Sequence, residues 1–418
     1  MDYFHYVNED LWCEDVPLAK VAEEVGTPFY LYSYRTLNHH FKVFDESFAD
    51  IPHLVCFAAK ANSNMAILKI FAHLGGGVDI VSGGELYRAL LAGVDPRKIV
   101  YSGVGKKTEE IELALRSNIL MFNVESAQEL EVINACAGRL KKRAGIALRV
   151  NPDVDAQTHP HISTGLKENK FGIDVEVALK QYLWASTCEN LEIKGISCHI
   201  GSQITKLSPF LDAFGEVKKL LRLLQAEGIA IKYIDLGGGL GIRYNREEPP
   251  HPSDYAKALM AVKNELDCTF IFEPGRVIVG NAGIMVTKVL YTKENIEKNF
   301  IIVDAGMNDL VRPSLYNSYH DIRPVRKRSA EEAVADVVGP ICESGDFLTK
   351  GRLLPRFERG ELMAVMSAGA YGFSMSSNYN SRPRVAEVLV KNDRYFIIRK
   401  REDYTDLVRG EESPDLFS

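Results

Sequence analysis

The sequence predicts an α/β protein in which a closed (β/α)8 barrel is joined to a separate, mainly antiparallel β domain. Eight short apolar or β-branched segments recur between residues 54 and 274, and most of the intervening segments suit helices. Strands that alternate with helical patterns indicate βαβ units and a parallel sheet. Eight such units over about 220 residues favour a TIM-type barrel, and an open, doubly wound sheet is the alternative. After residue 280 this alternation stops.

The eight candidate barrel strands read as continuous apolar runs, which is typical of strands buried on both faces. They are LVCFAA (54–59), VDIVS (78–82), IVYSG (99–103), LMFNVE (120–125), GIALRV (145–150), IKGISCHI (193–200), YIDLGGG (233–239) and TFIFEP (269–274). One connection, residues 151–177, is too polar and too long for a plain crossover. Long loops in compact domains are usually functional or disordered, so we expect a functional loop on the C-terminal rim of the barrel.

The remainder of the chain predicts a β domain. Its candidate strands lie in GIMVTKVLYTKE (283–294), NFIIVDAG (299–306), ELMAVMSAGAY (361–371) and VAEVLVKNDRYFIIRKRE (385–402). The segment PFYLYS (28–33) is a further candidate strand of this domain. We therefore assign residues 30–280 to the barrel and residues 1–29 plus 281–418 to the β domain.

Composition excludes several classes of function. The net charge is −6 with no long basic run, which argues against a nucleic-acid partner. No apolar window reaches the roughly 18 residues that a membrane helix needs, and the acidic N-terminus lacks the apolar core of an export signal. The seven cysteines are odd in number, scattered and without a CxxC pair, so neither a disulfide framework nor a zinc site is expected. These features predict a cytoplasmic protein with no membrane contact and no metal.

Residues that could carry chemistry follow the candidate strands. They are Lys60, DIVSGGE (79–85), NVES (123–126), Arg149, His199, the loop of Gly237, Gly238 and Gly239, then Glu273, Gly275 and Arg276. All lie at C-terminal strand ends, the face on which barrel enzymes build their active sites. This convergence is more informative than any one of the residues, each of which has an ordinary structural explanation.

Four of these groups together form the set that holds pyridoxal phosphate. Lys60 follows a buried strand, and partial burial makes a lysine amine nucleophilic enough to attach the cofactor. The glycine loop after strand seven lies where barrels bind phosphate with backbone N–H groups. His199 offers a flat ring for stacking, and Glu273 can keep the pyridine nitrogen protonated. Taken singly, they would be a solvated lysine, a glycine turn, a structural histidine and a salt-bridge partner.

At this point the chain resembles the fold-type III pyridoxal-phosphate decarboxylase family, whose fold is alanine racemase-like. The resemblance rests on FAAKAN, VSGGEL, TGLKENKFG, CHIGSQ, DLGGGLG, EPGR, CESGD and SNYNSRPRVAEVLV, which occur in the family's order from about residue 25 to 400. Within that family the motifs are most similar to the branch that decarboxylates meso-2,6-diaminopimelate to L-lysine.

The resemblance implies a role for each site residue. Lys60 carries the cofactor, His199 stacks on it and Glu273 meets its ring nitrogen. Its phosphate is bound by Ser202, Gly237, Gly238, Gly239, Gly275 and Arg276. Tyr371 contacts cofactor and substrate, and Arg276, Arg312, Tyr316 and Glu343 bind the substrate. The segment CESGD supplies the proton donor Cys342 together with Glu343 and Asp346. In the family this segment comes from the partner subunit, so the resemblance implies a homodimer with shared active sites.

The residues also bear on substrate choice. Diaminopimelate carries an amino-carboxylate at each end, so its distal end needs both a cationic and an anionic partner. Arg312 can pair bidentately with the carboxylate and Glu343 with the ammonium. Ornithine has no distal carboxylate, and the ornithine enzymes typically have an aspartate where this chain has Glu343. Two alternatives stay open: a related decarboxylase of ornithine, arginine or carboxynorspermidine, and a catalytically dead regulatory homologue.

Overall fold

The computed structural model describes residues 2–155, 170–263 and 266–416. The chain divides into two compact units. One unit is the continuous segment Asn38–Val279, and the other combines Met1–Leu37 with Gly280–Ser418. We call the first the barrel unit and the second the β unit.

The barrel unit is a closed barrel of eight parallel strands. The strands are His53–Ala58, Gly77–Ile80, Ile99–Tyr101, Met121–Val124, Ala144–Asn151, Leu191–Cys198, Tyr233–Asp235 and Thr269–Phe272. Each strand pairs in parallel with its neighbour in the chain, and the eighth strand pairs with the first, which closes the barrel. The predicted fold class is confirmed, and the open-sheet alternative is wrong.

Helices separate most of the barrel strands. They are Tyr34–Ser47, Met65–His73, Gly83–Leu91, Thr108–Ser117, Ala127–Leu140, Val175–Ser186, Ser208–Ala226, Pro252–Lys263 and Arg276–Val279, with short 3-10 turns at Ala59–Ala61 and Pro96–Lys98. Two helices begin with a serine whose side chain accepts a backbone N–H: Ser82 from Glu85 and Ser126 from Glu129. Such caps satisfy N–H groups that the first helical turn leaves without partners. The DIVSGGE and NVES segments thus contribute to helix starts.

The connection after strand five is only partly described. The short strand Ile173–Asp174 pairs in parallel with the end of strand five. Residues 156–169, which contain most of the predicted functional loop and of the TGLKENKFG motif, lie outside the described residues.

The β unit is built around a mixed, mainly antiparallel sheet. In spatial order its strands are Phe347–Pro355, Glu332–Val338, Asn299–Val303, Gly283–Glu294, Phe29–Ser33, Ala386–Lys391 and Arg394–Arg399. Leu362–Val365 also pairs with Gly283–Glu294 and carries Ile322–Pro324 on its other side. The strand Phe29–Ser33 lies inside this sheet, as predicted for PFYLYS. Short strands at Phe4–Val7, Asp10–Cys13 and Val16–Pro17 and helices at Leu18–Val25, Arg312–Tyr316 and Tyr404–Leu407 complete the unit.

In the parts of the chain that the structure describes, no helix combines the length and apolar character needed to cross a bilayer.

A bulge in strand six is compensated by a buried tyrosine. The register between strands five and six shifts between Ile193 and Gly195. Tyr182, on the helix before strand six, donates its hydroxyl proton to the Gly195 carbonyl at 2.7 Å. The same hydroxyl accepts the N–H of Leu148 at 3.0 Å. A bulge disrupts the ladder locally, so the tyrosine hydroxyl satisfies backbone groups on both sides of it.

We therefore predict that Tyr182→Phe lowers the free energy of unfolding by about 1–3 kcal/mol, because the buried Leu148 N–H loses its acceptor. Urea unfolding of the purified protein measures this change. Tyr87→Phe is the control, since the Tyr87 side chain is 62% exposed. Equal midpoints for the two variants would contradict the assigned role of the Tyr182 hydroxyl.

Candidate active site

The lysine at the end of strand one is paired with an aspartate of strand two. Lys60 lies in the 3-10 turn that follows strand one, and its Nζ donates to Asp79 Oδ2 at 2.7 Å. The pairing follows from the sheet register, which places Ala58 opposite Asp79. Asp79 is fully buried, whereas the Lys60 side chain is partly exposed. The structure thus places the Lys60 amine at the C-terminal end of the barrel, held by a buried carboxylate.

Two further carboxyl groups meet inside the same end of the barrel. Asp235 ends strand seven, Glu273 follows strand eight, and both are buried. Asn123 of strand four joins them, because its Nδ2 lies 2.8 Å from Asp235 Oδ2 and 3.2 Å from Glu273 Oε1. Ser102 Oγ donates to Glu273 Oε1 at 3.3 Å. The two carboxyl groups are also hydrogen-bonded to each other, which requires a proton between them.

Burial of these groups changes their proton affinity. Desolvation, reinforced by the negative charges of Asp235 and Asp79, raises the pKa of Glu273 well above its usual range, and Lys60 opposes the shift. Desolvation also raises the pKa of Asp235, to about 6. A buried carboxyl near other carboxylates holds its proton because the charged form is poorly solvated and repelled. Glu273 is therefore protonated at neutral pH unless a positive group lies against it.

His199 is a neutral ring at the edge of the glycine loop. Its Nδ1 accepts the Gly238 N–H at 3.1 Å, so the ring proton is on Nε2. Desolvation, together with the charges of Arg149 and Lys60, lowers the pKa of His199 well below its usual range. The ring therefore stays uncharged at neutral pH, as a stacking partner for a planar molecule requires.

The loop after strand seven follows a path that only glycine allows. Gly239 has a φ of +116°, and a Cβ on Gly238 would lie 2.1 Å from the carbonyl oxygen of Glu273. The Gly237 N–H donates to Asp235 Oδ1 at 2.9 Å, and the Gly238 N–H donates to His199. These two N–H groups already donate within the protein. Phosphate binding by backbone N–H groups is therefore expected mainly from Gly239 and from the segment after strand eight.

The segment after strand eight, which contains Gly275 and Arg276, places a positive guanidinium at the same end of the barrel. The Arg276 guanidinium donates to Ser202 Oγ, 3.1 Å from Nη2, and to the Tyr244 hydroxyl, 2.6 Å from Nη1. Gly275 precedes it, and a Cβ there would lie 3.0 Å from the Cβ of Ala61. Ser202, Gly275 and Arg276 are thus brought together as predicted, and Tyr244 joins them.

Arg149, another candidate from the strand ends, has a structural partner. Its Nη1 donates to Glu125 Oε1 at 2.7 Å, and Glu125 Oε2 accepts the Gly172 N–H at 2.8 Å. Both side chains are buried. This ion pair fastens the ends of strands four and five to the chain that follows the undescribed segment.

The residues of the barrel unit fit pyridoxal phosphate. They supply an amine, a flat neutral ring, a glycine loop beside an arginine, and a carboxyl pair that needs a positive partner. Two buried acceptors, Asp79 Oδ1 and Asn123 Oδ1, accept no hydrogen bond from any described residue. A cationic ring nitrogen against Glu273 would provide the missing positive charge, and that nitrogen is where this cofactor requires a carboxylate.

In the β unit, Arg312 begins a short helix and is buried. Its Nη1 donates to His320 Nε2 at 3.0 Å, and its Nη2 donates to Ser318 Oγ at 3.3 Å. His320 Nδ1 in turn donates to the Met366 carbonyl oxygen at 2.9 Å. Tyr316 ends the same helix and is partly exposed. His320 and Ser318, both neutral groups, therefore hold the guanidinium of the predicted substrate arginine in one orientation.

The CESGD loop of the β unit exposes its first two residues and buries its last. Cys342 and Glu343 are exposed, so both side chains are accessible on the surface of their own subunit. Asp346 is buried and accepts the N–H groups of Ile341 and Met307 at 2.7 and 2.6 Å. Asp346 thus shapes the loop that carries the other two side chains.

Tyr371 and the SNYN segment complete the predicted residues of the β unit. Tyr371 is partly buried and has a φ of +55°, a strained conformation for a tyrosine. Asn380 Oδ1 accepts the Cys342 N–H at 2.8 Å. Tyr379 is hydrogen-bonded to Glu343, and this bond raises the pKa of the tyrosine. The SNYN segment therefore supports the exposed part of the CESGD loop.

The sequence predicts no individual role for Ser102, Asp235 and Tyr244 of the barrel unit or for Asn380 of the β unit, and it offers Asp79 and Asn123 only as members of the strand-end segments DIVSGGE and NVES. The sequence does indicate that Asp79, Asn123 and Asp235 are unusual, because each is a polar residue within an otherwise apolar strand. Such residues are rarely buried without a partner, so their presence in a barrel strand indicates an internal polar cluster. Tyr244 and Asn380 lie in loops and had no comparable signal.

The chain is similar to known proteins over nearly its whole length. Residues 34–280 match the family described as pyridoxal-dependent decarboxylase, pyridoxal binding domain. The chain is 53% identical over 409 residues to a diaminopimelate decarboxylase of Vibrio cholerae, which covers 97% of this chain and 98% of the relative. It is 54% identical over 409 residues to a diaminopimelate decarboxylase of Haemophilus influenzae, with the same coverage of both chains.

Solved structures give the same result. Diaminopimelate decarboxylase of Helicobacter pylori, complexed with L-lysine, superposes with a TM-score of 0.91 at 47% identity, covering 94% of this chain and 98% of that one. Diaminopimelate decarboxylase of M. jannaschii, in co-complex with L-lysine, superposes with a TM-score of 0.94 at 39% identity, covering 99% and 98%.

The glycine loop generates a prediction about cofactor retention. Gly238→Ala should lose bound pyridoxal phosphate, because the added Cβ would collide with the Glu273 carbonyl and displace the loop. The visible absorbance of the bound cofactor after dialysis measures this loss. Gly215→Ala is the matched control, since this glycine lies within helix Ser208–Ala226 with nothing within 4 Å of an added Cβ. Full cofactor retention by Gly238→Ala would rule out the close approach described here.

Proposed function

The chain belongs to the pyridoxal-dependent decarboxylase family, and on that premise we propose its reaction. It decarboxylates meso-2,6-diaminopimelate to L-lysine and CO2 with pyridoxal 5′-phosphate as cofactor, which is the last step of lysine biosynthesis. The observation that carries this proposal is the grouping of Lys60, His199, Glu273 and the glycine loop at one end of the barrel. The near-complete coverage by diaminopimelate decarboxylases supports the choice of substrate.

The proposed roles in cofactor binding follow from the contacts. Lys60 attaches the cofactor, and Asp79 holds its amine in position. Ser202, Gly237, Gly238, Gly239, Gly275 and Arg276 surround the phosphate, and the N–H groups of Gly237 and Gly238 shape the loop rather than bind the anion. His199 stacks on the ring, and its low proton affinity keeps it neutral there. Glu273 binds the ring nitrogen and keeps it protonated.

Held by these residues, pyridoxal phosphate would supply an electron-withdrawing ring, so that the bond from the substrate Cα to its carboxylate could break. The protein must then deliver a proton to that carbon. We assign this step to Cys342, whose exposed thiol stands beside Glu343 on the CESGD loop. A thiol can give up its proton to a carbanion and so act as the general acid.

Substrate recognition is assigned to the β unit together with Arg276. Arg312 pairs with the distal carboxylate of diaminopimelate, and its contacts with His320 and Ser318 fix the plane of the guanidinium beforehand. A bidentate pair of this kind needs such a fixed plane. Glu343 pairs with the distal ammonium, and Tyr316 and Tyr371 line the substrate site, with Tyr371 also touching the cofactor.

We further propose that the enzyme is a cytoplasmic homodimer in which the CESGD loop of one subunit completes the active site of the other. The exposure of Cys342 and Glu343 fits this arrangement, because side chains that act in a partner's site must be accessible on their own subunit. The seven cysteines are all free thiols, which is usual in a reducing compartment. The barrel unit and the β unit make the two contributions to each site.

The experiment that tests the function uses the purified protein loaded with pyridoxal phosphate. We expect meso-diaminopimelate to be converted to lysine and CO2, and Lys60→Ala to lose both the visible absorbance of the bound cofactor and nearly all turnover. Lys107→Ala, on the same chain outside the site, is the control and should retain both. Turnover of ornithine, arginine or carboxynorspermidine instead would favour the related decarboxylases. Absence of cofactor binding would favour the regulatory homologue.

Shared active sites predict complementation. Cys342→Ala should keep its cofactor but turn over about 10²–10⁴-fold more slowly, the usual loss when a general acid is removed. Mixing Lys60→Ala with Cys342→Ala subunits should restore about a quarter of wild-type activity, since random pairing makes half of the dimers mixed and each has one intact site. Activity that stays at the level of the separate variants after subunit exchange would mean that each subunit builds its own site.

A further inference from the structure

Asp235 has no role in the reaction outlined above, yet it contacts both halves of the cofactor site. Its Oδ1 accepts the N–H of Gly237, where the glycine loop begins. Its Oδ2 accepts from Asn123, which also contacts Glu273. Asp235 therefore connects the loop beside the phosphate to the carboxyl group assigned to the ring nitrogen.

Without a further cation beside it, the pair of carboxyl groups cannot carry two negative charges. Asp235 is fully buried and Glu273 nearly so, and the two are within hydrogen-bonding distance of each other. Two carboxylates that share one buried site ionise in separate steps, because the first charge opposes the second. The neutral amide of Asn123 contacts both members and supplies no charge to separate them.

Other titratable groups around the pair do not replace this proton. Among the described residues, those that interact electrostatically with the pair include Cys56, Lys60, Asp79, Cys198 and Tyr255. Burial and the nearby carboxylates raise the pKa of the Cys56 and Cys198 thiols and of the Tyr255 hydroxyl, so these three stay neutral. Lys60 already forms an ion pair with Asp79. The pair therefore remains singly charged until a further positive group arrives.

We propose that Asp235 is a positioning residue. In the cofactor-free protein it keeps the Asp235–Glu273 pair singly charged, and in the loaded protein it stabilises a protonated ring nitrogen. This inference rests on the proposed function, since Glu273 is assigned there to the cofactor. A positive ring nitrogen can take the place of the shared proton as the charge partner of Glu273, and Asp235 supplies the second negative charge that stabilises it. Asp235 thus sets the protonation of the ring without touching it.

The variant Asp235→Asn tests this proposal, because its amide oxygen can still accept the Gly237 N–H while its negative charge is lost. The holoenzyme is loaded with pyridoxal phosphate labelled with ¹⁵N in the ring, and the chemical shift of that nitrogen is followed against pH. We expect the pH at which the nitrogen loses its proton to fall by about 1–3 units relative to wild type. The rate of lysine formation should fall over the same pH range.

Ser102→Ala is the matched control. It removes one hydrogen bond to Glu273 in the same network and changes no charge, so the ring nitrogen should keep its wild-type titration. If Asp235→Asn also keeps the wild-type titration, Asp235 only shapes the glycine loop and the proposal is overturned. If the wild-type enzyme binds the cofactor but makes no lysine, the proposed function fails while the titration still tests Asp235.

A second measurement needs no folded Asp235 variant. The infrared spectrum of the cofactor-free full-length protein should contain the C=O stretch of a protonated, buried carboxyl group at neutral pH, and loading with pyridoxal phosphate should remove it. Glu273→Gln identifies the band by its loss. A wild-type spectrum without such a band at neutral pH would overturn the proposal.

Discussion

Three carboxyl groups, those of Asp79, Asp235 and Glu273, are buried together at one end of the barrel, and the rest of the site depends on how their charge is balanced. Water cannot solvate them there, so each needs a cation, a proton or a hydrogen-bond donor. Lys60 balances Asp79, and a shared proton with Asn123 balances the other two. The arrangement leaves a place for one more positive group, which pyridoxal phosphate can supply with its ring nitrogen.

The same constraint explains the positions of the neutral residues. Desolvation, together with the charges of Arg149 and Lys60, keeps the His199 ring uncharged, so it can receive the Gly238 N–H on Nδ1. That hydrogen bond ties the stacking ring to the glycine loop, while Asp235 ties the start of the loop to the carboxyl pair. The His199 ring, the glycine loop and the carboxyl pair are thus connected by hydrogen bonds. Displacement of any one of them is expected to disturb the others.

The β unit achieves the corresponding rigidity by other means. Arg312 is held by His320 and Ser318, and the buried Asp346 fixes the backbone of the CESGD loop. The exposed Cys342 and Glu343 are supported from the SNYN segment. Barrels of this kind host many chemistries, so function must be argued from such sites rather than from the fold. The proposed function assigns the first set of residues to the cofactor and the second to the substrate and the proton donor.

The sequence by itself determined the barrel, its eight strands and the residues at the strand ends, because buried parallel strands leave a strong apolar pattern and chemistry collects where they end. It also determined the family, since the motifs from FAAKAN to SNYN occur in order along nearly the whole chain. Only the tertiary structure decided that Arg149 forms an ion pair with Glu125, and that Asn123 contacts both Asp235 and Glu273. These contacts join strands 24–150 residues apart in the chain, as with Asn123 and Glu273, or Arg149 and Glu125. The closure of the barrel creates them, and no local pattern of residues records which buried polar groups will meet.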